Sequence, residues 1–110
     1  VSGRKTDKFS DTGFTAVRSE LVDAPLIQEC PVNIECRLLD KMKLPSHMMF
    51  IGEVLDVKVE ESVFDGDRGP DVRRIKPIIF SPRWSWKSSG YYSVGARIGD
   101  AYSQRKKPKK

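Results

Sequence analysis

The sequence has few of the features that indicate a membrane protein or a secreted protein. The chain has 110 residues, which is room for one domain. No apolar run in it approaches the roughly 18 residues that suggest a membrane span. The first residues, Val1 to Lys5, contain no initiator methionine and are not followed by an apolar segment, so we predict no signal peptide. With 38% hydrophobic and 32% charged residues, the composition is typical of soluble globular proteins.

Cysteine and histidine are scarce as well. The chain contains Cys30, Cys36 and a single histidine, His47. These are too few for a zinc site without help from carboxylates, and the cysteine spacing does not match C-x-x-C, so we predict no metal site. In a strand over Val32 to Leu38, Cys36 would lie on the apolar face as an ordinary small buried residue. Two cysteines in such a chain indicate reduced thiols and a cytoplasmic location.

Nucleotide-binding and catalytic motifs are also missing. Gly95 and Gly99 lack the G-x-G-x-x-G spacing, and no P-loop is present. The serines and the single histidine give no argument for a catalytic triad. His47 is still a candidate, because it lies where the Pro45-Ser46 turn leads into an apolar strand, and sheet ends commonly host sites. Its role could be that of a proton donor, a hydrogen-bond partner of a bound ring, a metal ligand or only a polar residue at a strand entrance.

The positive charge of the chain is concentrated in its tail. The net charge is +5, yet five positive charges lie in the last six residues, Arg105 to Lys110. Without them the chain has 15 basic and 15 acidic residues and is neutral. We therefore predict a solvated tail over residues 103–110. Contact of the tail with nucleic acid or another anionic surface is the less favoured alternative.

The first third of the chain predicts short helices around an extended segment. A helix between Ser2 and Gly13 could be capped by Thr6, with Gly13 at its end. Phe14 to Val22 is predicted to be extended. Asp23-Ala24-Pro25 is expected to start a second helical turn that Pro31 stops.

The strongest local signal is a β-hairpin. Val32 to Leu38 alternates apolar and polar residues, which predicts a half-buried strand. Leu44-Pro45-Ser46 is a turn, and His47 to Val59 is a longer strand whose first half is apolar on both faces. Gly52 inside it indicates a bulge or a close backbone approach. Such a hairpin is expected to need a partner sheet that buries both of its faces.

The remaining sequence predicts short strands separated by loops. The segment Glu60 to Arg74 is polar and is expected to form a surface loop. Ile75 to Phe80 is predicted to be a strand interrupted by Pro77. Tyr91-Tyr92 is expected to begin a last short strand.

The loop between these strands carries the only two tryptophans, Trp84 and Trp86. We expect them to form a lid over the core of the chain itself. They could instead cover a flat ring, pack against a dimer partner or, with Arg83 and Lys87, stack on nucleic acid.

A small polar and basic cluster surrounds the first helix. It consists of Ser2, Gly3, Arg4 and Lys8. Backbone amides at this helix start, together with Arg4 or Lys8, could hold a phosphate. The alternative is a solvated helix start.

Four ordered stretches resemble the flavoredoxin branch of the flavin reductase-like family. They are Ser2 to Phe9 (SGRKTDKF), Thr12 to Thr15 with Leu21 to Ile27, Asn33 to Leu38 with Ser46 to Val54 (NIECRL and SHMMFIGEV), and Lys76 to Phe80 with Tyr91 to Gly95 (KPIIF and YYSVG). Each stretch alone is weakly specific, whereas their order over Ser2 to about Tyr102 is fairly specific.

The resemblance implies a mainly β fold with short helices, a partial FMN-binding split β-barrel. Residues 1–102 would form its C-terminal half, with residues 103–110 as a flexible basic tail. Family members are dimers that bind FMN between subunits, and they reduce flavin with NAD(P)H, pass electrons to a redox partner protein or carry FMN. His47 matches a family histidine near the flavin or nicotinamide and is the implied catalytic residue. Ser2, Gly3, Lys8 and Phe9, with His47, are the implied cofactor contacts.

The chain is much shorter than the family pattern. The missing N-terminal half supplies the first barrel strands and most FMN contacts in relatives. Besides a flavin-binding redox protein, we therefore keep the alternative of a truncated, non-catalytic half-barrel that serves as a dimerisation or interaction module. A nucleic-acid binder with a basic tail is the third and least favoured hypothesis. Whether the chain is an enzyme stays open.

Overall fold

The computed structural model describes residues 7–102. The described chain contains three two-stranded antiparallel sheets and short helices. The elements are α1 (Lys8–Thr12), β1 (Ala16–Arg18), β2 (Pro25–Ile27), β3 (Val32–Lys43), β4 (Met48–Val59), 3-10 turns at Glu61–Val63 and Gly66–Arg68, α2 (Val72–Ile75), β5 (Ile79–Ser81) and β6 (Gly90–Tyr92). The chain divides into two compact units, Val1–Asp71 and Val72–Lys110. No helix within residues 7–102 is long and apolar enough to cross a bilayer.

Helix α1 is defined by a cap at each end. The cap at its start is Asp7, and the predicted cap, Thr6, lies outside the described residues. Asp7 Oδ1 accepts the Phe9 N–H at 3.0 Å and Oδ2 accepts the Ser10 hydroxyl at 3.0 Å. Gly13 ends the helix as predicted, in the left-handed region with φ of 75°, and its N–H donates to the Phe9 carbonyl. Glycine takes this conformation without a steric penalty.

The predicted helical turn at Asp23-Ala24-Pro25 is wrong, because Pro25–Ile27 forms strand β2. This strand pairs antiparallel with β1, with Ala16 opposite Ile27. The Ser19 hydroxyl donates to the Ala24 carbonyl and closes the loop between the two strands. Pro25 is the first residue of its strand, where its missing N–H costs no ladder bond. Long-range pairing therefore overrides the local helix-start signal.

The predicted hairpin is confirmed and is longer than expected. Strands β3 and β4 pair over their full length, from Val32 opposite Val59 to Lys43 opposite Met48. The turn is closed by the Leu44 N–H, which donates to the His47 carbonyl at 2.8 Å. Two bulges interrupt the register. The close approach predicted at Gly52 is confirmed, since a Cβ there would lie 3.1 Å from Cys36 Cβ.

The burial predicted for Cys36 is wrong, whereas the partner sheet that the hairpin is expected to need stays a prediction. Because side chains alternate across a strand, Ile34, Cys36 and Leu38 share one face, which we call the open face. All three are exposed, as are the apolar side chains of the first half of β4. The exposed apolar residues of β4 are Met48, Met49, Phe50, Ile51, Val54, Leu55 and Val57. Neighbouring residues of a strand point to opposite faces, so the first half of β4 is exposed on both sides, and nothing within residues 7–71 covers the open face.

The second unit contains α2, β5 and β6. The predicted strand over Ile75 to Phe80 is wrong in its first half, because Ile75 ends α2 and the strand begins at Ile79. Lys76 takes a left-handed φ of 57°, and Pro77 lacks an N–H for a ladder, so the strand starts only after them. The last short strand is confirmed, with β6 paired antiparallel to β5.

The expectation that the tryptophans form a lid over the core is also wrong. Trp84 is fully exposed and Trp86 is 82% exposed. The loop that carries them is nevertheless well bonded, because the Ser85 carbonyl accepts the N–H groups of Ser88 and Ser89.

Candidate functional site

The candidate site residues lie on two different elements of the first unit. Lys8 and Phe9 lie in the first turn of α1, and His47 lies in the turn before β4. Ser2 and Gly3 lie outside the described residues. Lys8 is exposed and Phe9 is half-buried. Within residues 7–102 no hydrogen bond or ion pair joins α1 to His47, so the structure places the two segments without linking them directly.

The start of α1 is occupied by the protein's own carboxylate. Asp7 accepts hydrogen bonds from the Phe9 N–H and the Ser10 hydroxyl, each at 3.0 Å. A phosphate at this position would meet the negative charge of Asp7 and would compete with it for the same amide. The described part of the segment therefore offers the Lys8 ammonium and the Phe9 ring to a ligand, rather than free backbone amides.

His47 is exposed, and its contacts lie within its own turn. Its Nδ1 is 2.7 Å from the Ser46 hydroxyl, and its carbonyl accepts the Leu44 N–H. When the serine hydroxyl donates to Nδ1, the imidazole proton lies on Nε2, which is then a free donor for a ligand. Within the described residues no group of three His, Cys, Asp or Glu side chains could hold a metal ion, so the metal-ligand role has no support here.

Sequence reasoning missed a buried carboxylate, Glu35. Its residue is 1% exposed, although the alternation of β3 had assigned it to the polar face. Its Oε1 accepts the N–H groups of Glu20 and Leu21 at 3.1 and 2.7 Å. Its Oε2 lies 3.0 Å from the Lys58 ammonium. Glu35 therefore holds the loop between β1 and β2 against the hairpin.

Lys58 connects three carboxylates on this side of the hairpin. Its Nζ lies 2.6 Å from Asp56 Oδ2 and 3.5 Å from Glu20 Oε2, in addition to Glu35. The hydrogen bond from the Leu21 N–H has the largest effect in lowering the pKa of Glu35, and the hydrogen bond from Lys58 has the next largest. The hydrogen bond from Lys58 also lowers the pKa of Asp56. Hydrogen bonds to Asp56 and then to Glu35 raise the pKa of Lys58. Lys58, Glu35 and Asp56 are therefore charged near neutral pH.

A second polar residue of β3, Asn33, also attaches the β1–β2 segment to the hairpin by side-chain hydrogen bonds. Asn33 accepts the Ile27 N–H with its Oδ1 and donates from Nδ2 to the carbonyls of Ile27 and Cys30. Asn33 and Glu35 alternate on β3, so one face of the strand fixes the β1–β2 segment while the opposite, open face stays exposed. No local pattern distinguishes these two residues from solvated polar ones, because their partners lie elsewhere in the chain.

Comparison with known proteins places this arrangement in a family. The profile of the flavin reductase like domain matches residues 1–83. Among solved structures, the chain is similar to flavoredoxin of Desulfovibrio vulgaris (Miyazaki F), with 42% sequence identity and a TM-score of 0.78 over 94% of this chain and 52% of that chain. It is also similar to flavoredoxin from Methanosarcina acetivorans, with 31% identity and a TM-score of 0.76 over 96% of this chain and 53% of that one.

A curated relative is also matched over about half of its length. An uncharacterized protein of Archaeoglobus fulgidus is 36% identical over 89 residues, which are 81% of this chain and 50% of the relative. The chain thus spans about half the length of the proteins that it matches. These neighbours have the split-barrel fold, of which this mainly β chain with short helices forms a part whose barrel is not closed.

Proposed function

Since the chain belongs to the flavin reductase-like family, we propose that it binds FMN and acts in redox chemistry. The reaction would be hydride transfer from NAD(P)H to the flavin, or electron carriage to a redox partner protein. The match of the family profile to residues 1–83, which contain both candidate segments, is the observation that carries this proposal. The two free cysteines support a cytoplasmic location.

The residues present fit the ring of a flavin better than its phosphate. A bound flavin would supply the hydride-accepting ring, and the protein would supply position and exclusion of water. His47 is exposed and can donate from Nε2 to a ring acceptor or orient a nicotinamide, once Ser46 occupies its Nδ1. Lys8 would offer positive charge to a reduced, anionic ring, and the half-buried Phe9 would offer an apolar contact.

The phosphate would have to be bound elsewhere. Asp7 occupies the amide end of α1, so within residues 7–102 this segment presents no ready anion cradle. We keep Ser2 and Gly3 as proposed contacts and propose that a second polypeptide supplies the others. A homodimer is the simplest source, and the exposed apolar residues of the open face support such a pairing.

The second candidate function is a non-catalytic half-barrel that serves as a dimerisation or interaction module. The same open face favours it, because an apolar surface of this kind binds other proteins whether or not a cofactor is present. The half-length match to the relatives is equally consistent with this alternative.

A titration of the chain with FMN separates the two candidates. Flavin fluorescence and sedimentation are followed together. Saturable quenching with a dimeric species is the result expected for a flavin protein. Dimerisation without quenching would leave the interaction module as the function.

The role of His47 is tested in the same system. We expect His47→Ala to slow flavin reduction by NAD(P)H by about tenfold or more, because orientation of the reacting groups is lost, while FMN affinity changes much less. Lys43→Ala, an exposed residue at the same end of the hairpin, is the matched control. Unchanged reduction kinetics in His47→Ala would remove His47 from the mechanism.

A further inference from the structure

The loop Arg83 to Lys87, here called the tryptophan loop, is a prebuilt contact surface. Both tryptophans of the protein lie in it, one fully exposed and the other largely so. The Ser85 carbonyl accepts two backbone N–H groups at 3.0 and 3.1 Å, and the Ser89 hydroxyl accepts the Arg83 N–H at 2.9 Å. The rings are therefore presented by an ordered loop, which reduces the entropy lost when they bind. Tryptophan and arginine are the side chains that most often dominate protein interfaces.

The two units carry charges of opposite sign. Residues 72–110 contain eleven basic residues and a single acidic one, Asp100, whereas residues 1–71 contain nine basic and fourteen acidic residues. The units thus have net charges of +10 and −5, which sum to the +5 of the chain. Lys87 lies over the Trp86 ring at 5.7 Å, so positive charge and aromatic surface meet in the tryptophan loop.

The negative charge of the first unit is concentrated at the end of the hairpin. Residues 60–71, here called the acidic segment, contain five acidic residues and one arginine. The segment is tied to the hairpin by the Glu60 N–H, which donates to the Pro31 carbonyl at 2.9 Å, and it contains the buried Val63. Strand β4 leads directly into the acidic segment. The exposed apolar pair of the open face that lies closest along the strand to this segment is Ile34 opposite Val57. The exposed pair Ile34 and Val57 therefore lies on the strands that adjoin a segment rich in carboxylates.

We propose that the tryptophan loop of one copy docks on the acidic segment and the adjacent open face of a second copy. Trp84 and Trp86 would cover the exposed apolar pair, while Arg83 and Lys87 would face the carboxylates. In a two-fold pair each contact is made twice, because the loop of either copy meets the acidic segment of the other. This inference deepens the pairing of two copies proposed above, because it names the surfaces and makes the second copy contribute the tryptophans. Opposite charges give such a contact its orientation and a fast encounter.

The two tryptophans are also the reporter that tests the proposal. Sedimentation and tryptophan emission are recorded together on the full chain across the micromolar range, at low and at molar salt. We expect dimers whose formation shifts the emission to the blue, and which molar salt weakens by screening. A chain that stays monomeric, or a dimer whose emission stays that of a solvated indole, would overturn the inference. The second outcome would leave the pairing itself intact.

Charge-reversal variants locate the contact. Glu61→Lys/Asp67→Lys alters two exposed carboxylates of the acidic segment and should weaken the dimer by about tenfold or more. Asp11→Lys/Asp23→Lys changes the net charge equally at exposed positions outside the segment and should leave the dimer unchanged. Equal effects of the two variants would overturn the proposed location. Salt-sensitive quenching by an oligothymidylate strand on monomeric protein would also overturn it and assign the loop to single-stranded nucleic acid.

Discussion

Gly52 allows the two long strands to approach closely, and its replacement should be costly for a steric reason. An alanine Cβ at this position would lie 3.1 Å from Cys36 Cβ and 3.6 Å from the Arg37 carbonyl oxygen. Carbon atoms attract each other best at about 3.5–4.0 Å, so the first contact is repulsive. A Cβ cannot rotate away, and one strand has to shift. We therefore expect Gly52→Ala to destabilise the protein by about 1–2 kcal/mol in urea denaturation followed by circular dichroism.

A double-mutant cycle tests the steric reasoning. Cys36→Gly removes the atom that the new Cβ meets, so the Gly52→Ala penalty should fall by about 1 kcal/mol in that background. Gly13→Ala is the control: nothing lies within 4 Å of its Cβ, and its cost, about 1 kcal/mol, comes from the left-handed φ of 75°. That cost should be the same with either residue at position 36. Additive effects of Gly52→Ala and Cys36→Gly would refute the steric explanation.

Three further predictions follow from the hydrogen bonds and the exposed thiol. Glu35→Gln removes the charge paired with Lys58, and the Leu21 amide should then exchange its hydrogen about tenfold faster, as read by mass spectrometry. The pKa of Glu35 is lowered in the folded state, so its contribution to stability is complete above the ordinary value of 4.5 and is lost as the pH falls through the lowered pKa. Only the wild type should therefore show a loss of Leu21 amide protection in acid. The same loss in Glu35→Gln would contradict this explanation. Asp7→Ala should destabilise helix α1 by about 1 kcal/mol, and Asp7→Asn should destabilise it much less, as measured by backbone chemical shifts. Equal destabilisation by the two variants would contradict a capping role for Asp7. Cys36 should react with a thiol reagent faster than the half-buried Cys30, and pairing of copies over the open face should slow Cys36 alone.

The hairpin was predictable because its signals are local. Alternation over Val32 to Leu38 predicts a strand whatever surrounds it, and Leu44-Pro45-Ser46 predicts its turn. Gly52 inside an apolar strand indicates a close approach, which the structure has at Cys36. The position of His47 at the strand entrance follows from the same turn.

The features that sequence reasoning missed depend on residues far apart in the chain. Pro25 follows Asp23 as in a helix start, yet it is held in a strand by β1 and by the bond from Ser19 to the Ala24 carbonyl. Glu35 alternates with apolar residues as a solvated side chain would, yet amides fourteen and fifteen positions earlier bury it. Periodicity assigns a residue to a face of a strand, whereas it does not tell what lies against that face.

The two faces of β3 explain why half of a family fold can be ordered and still incomplete. The face with Asn33 and Glu35 is satisfied by this chain's own β1–β2 segment through four hydrogen bonds, and by the Cys30 carbonyl through a fifth. The open face has apolar side chains and no such partners within the described residues. Polar partners fix a unique local structure, whereas an apolar face stabilises the protein only when another surface covers it and removes it from water. On the proposed function, the second copy supplies the phosphate contacts that the start of α1 does not offer. FMN affinity should therefore rise with protein concentration over the range in which copies pair, and an affinity independent of concentration would show that cofactor binding does not need the second copy.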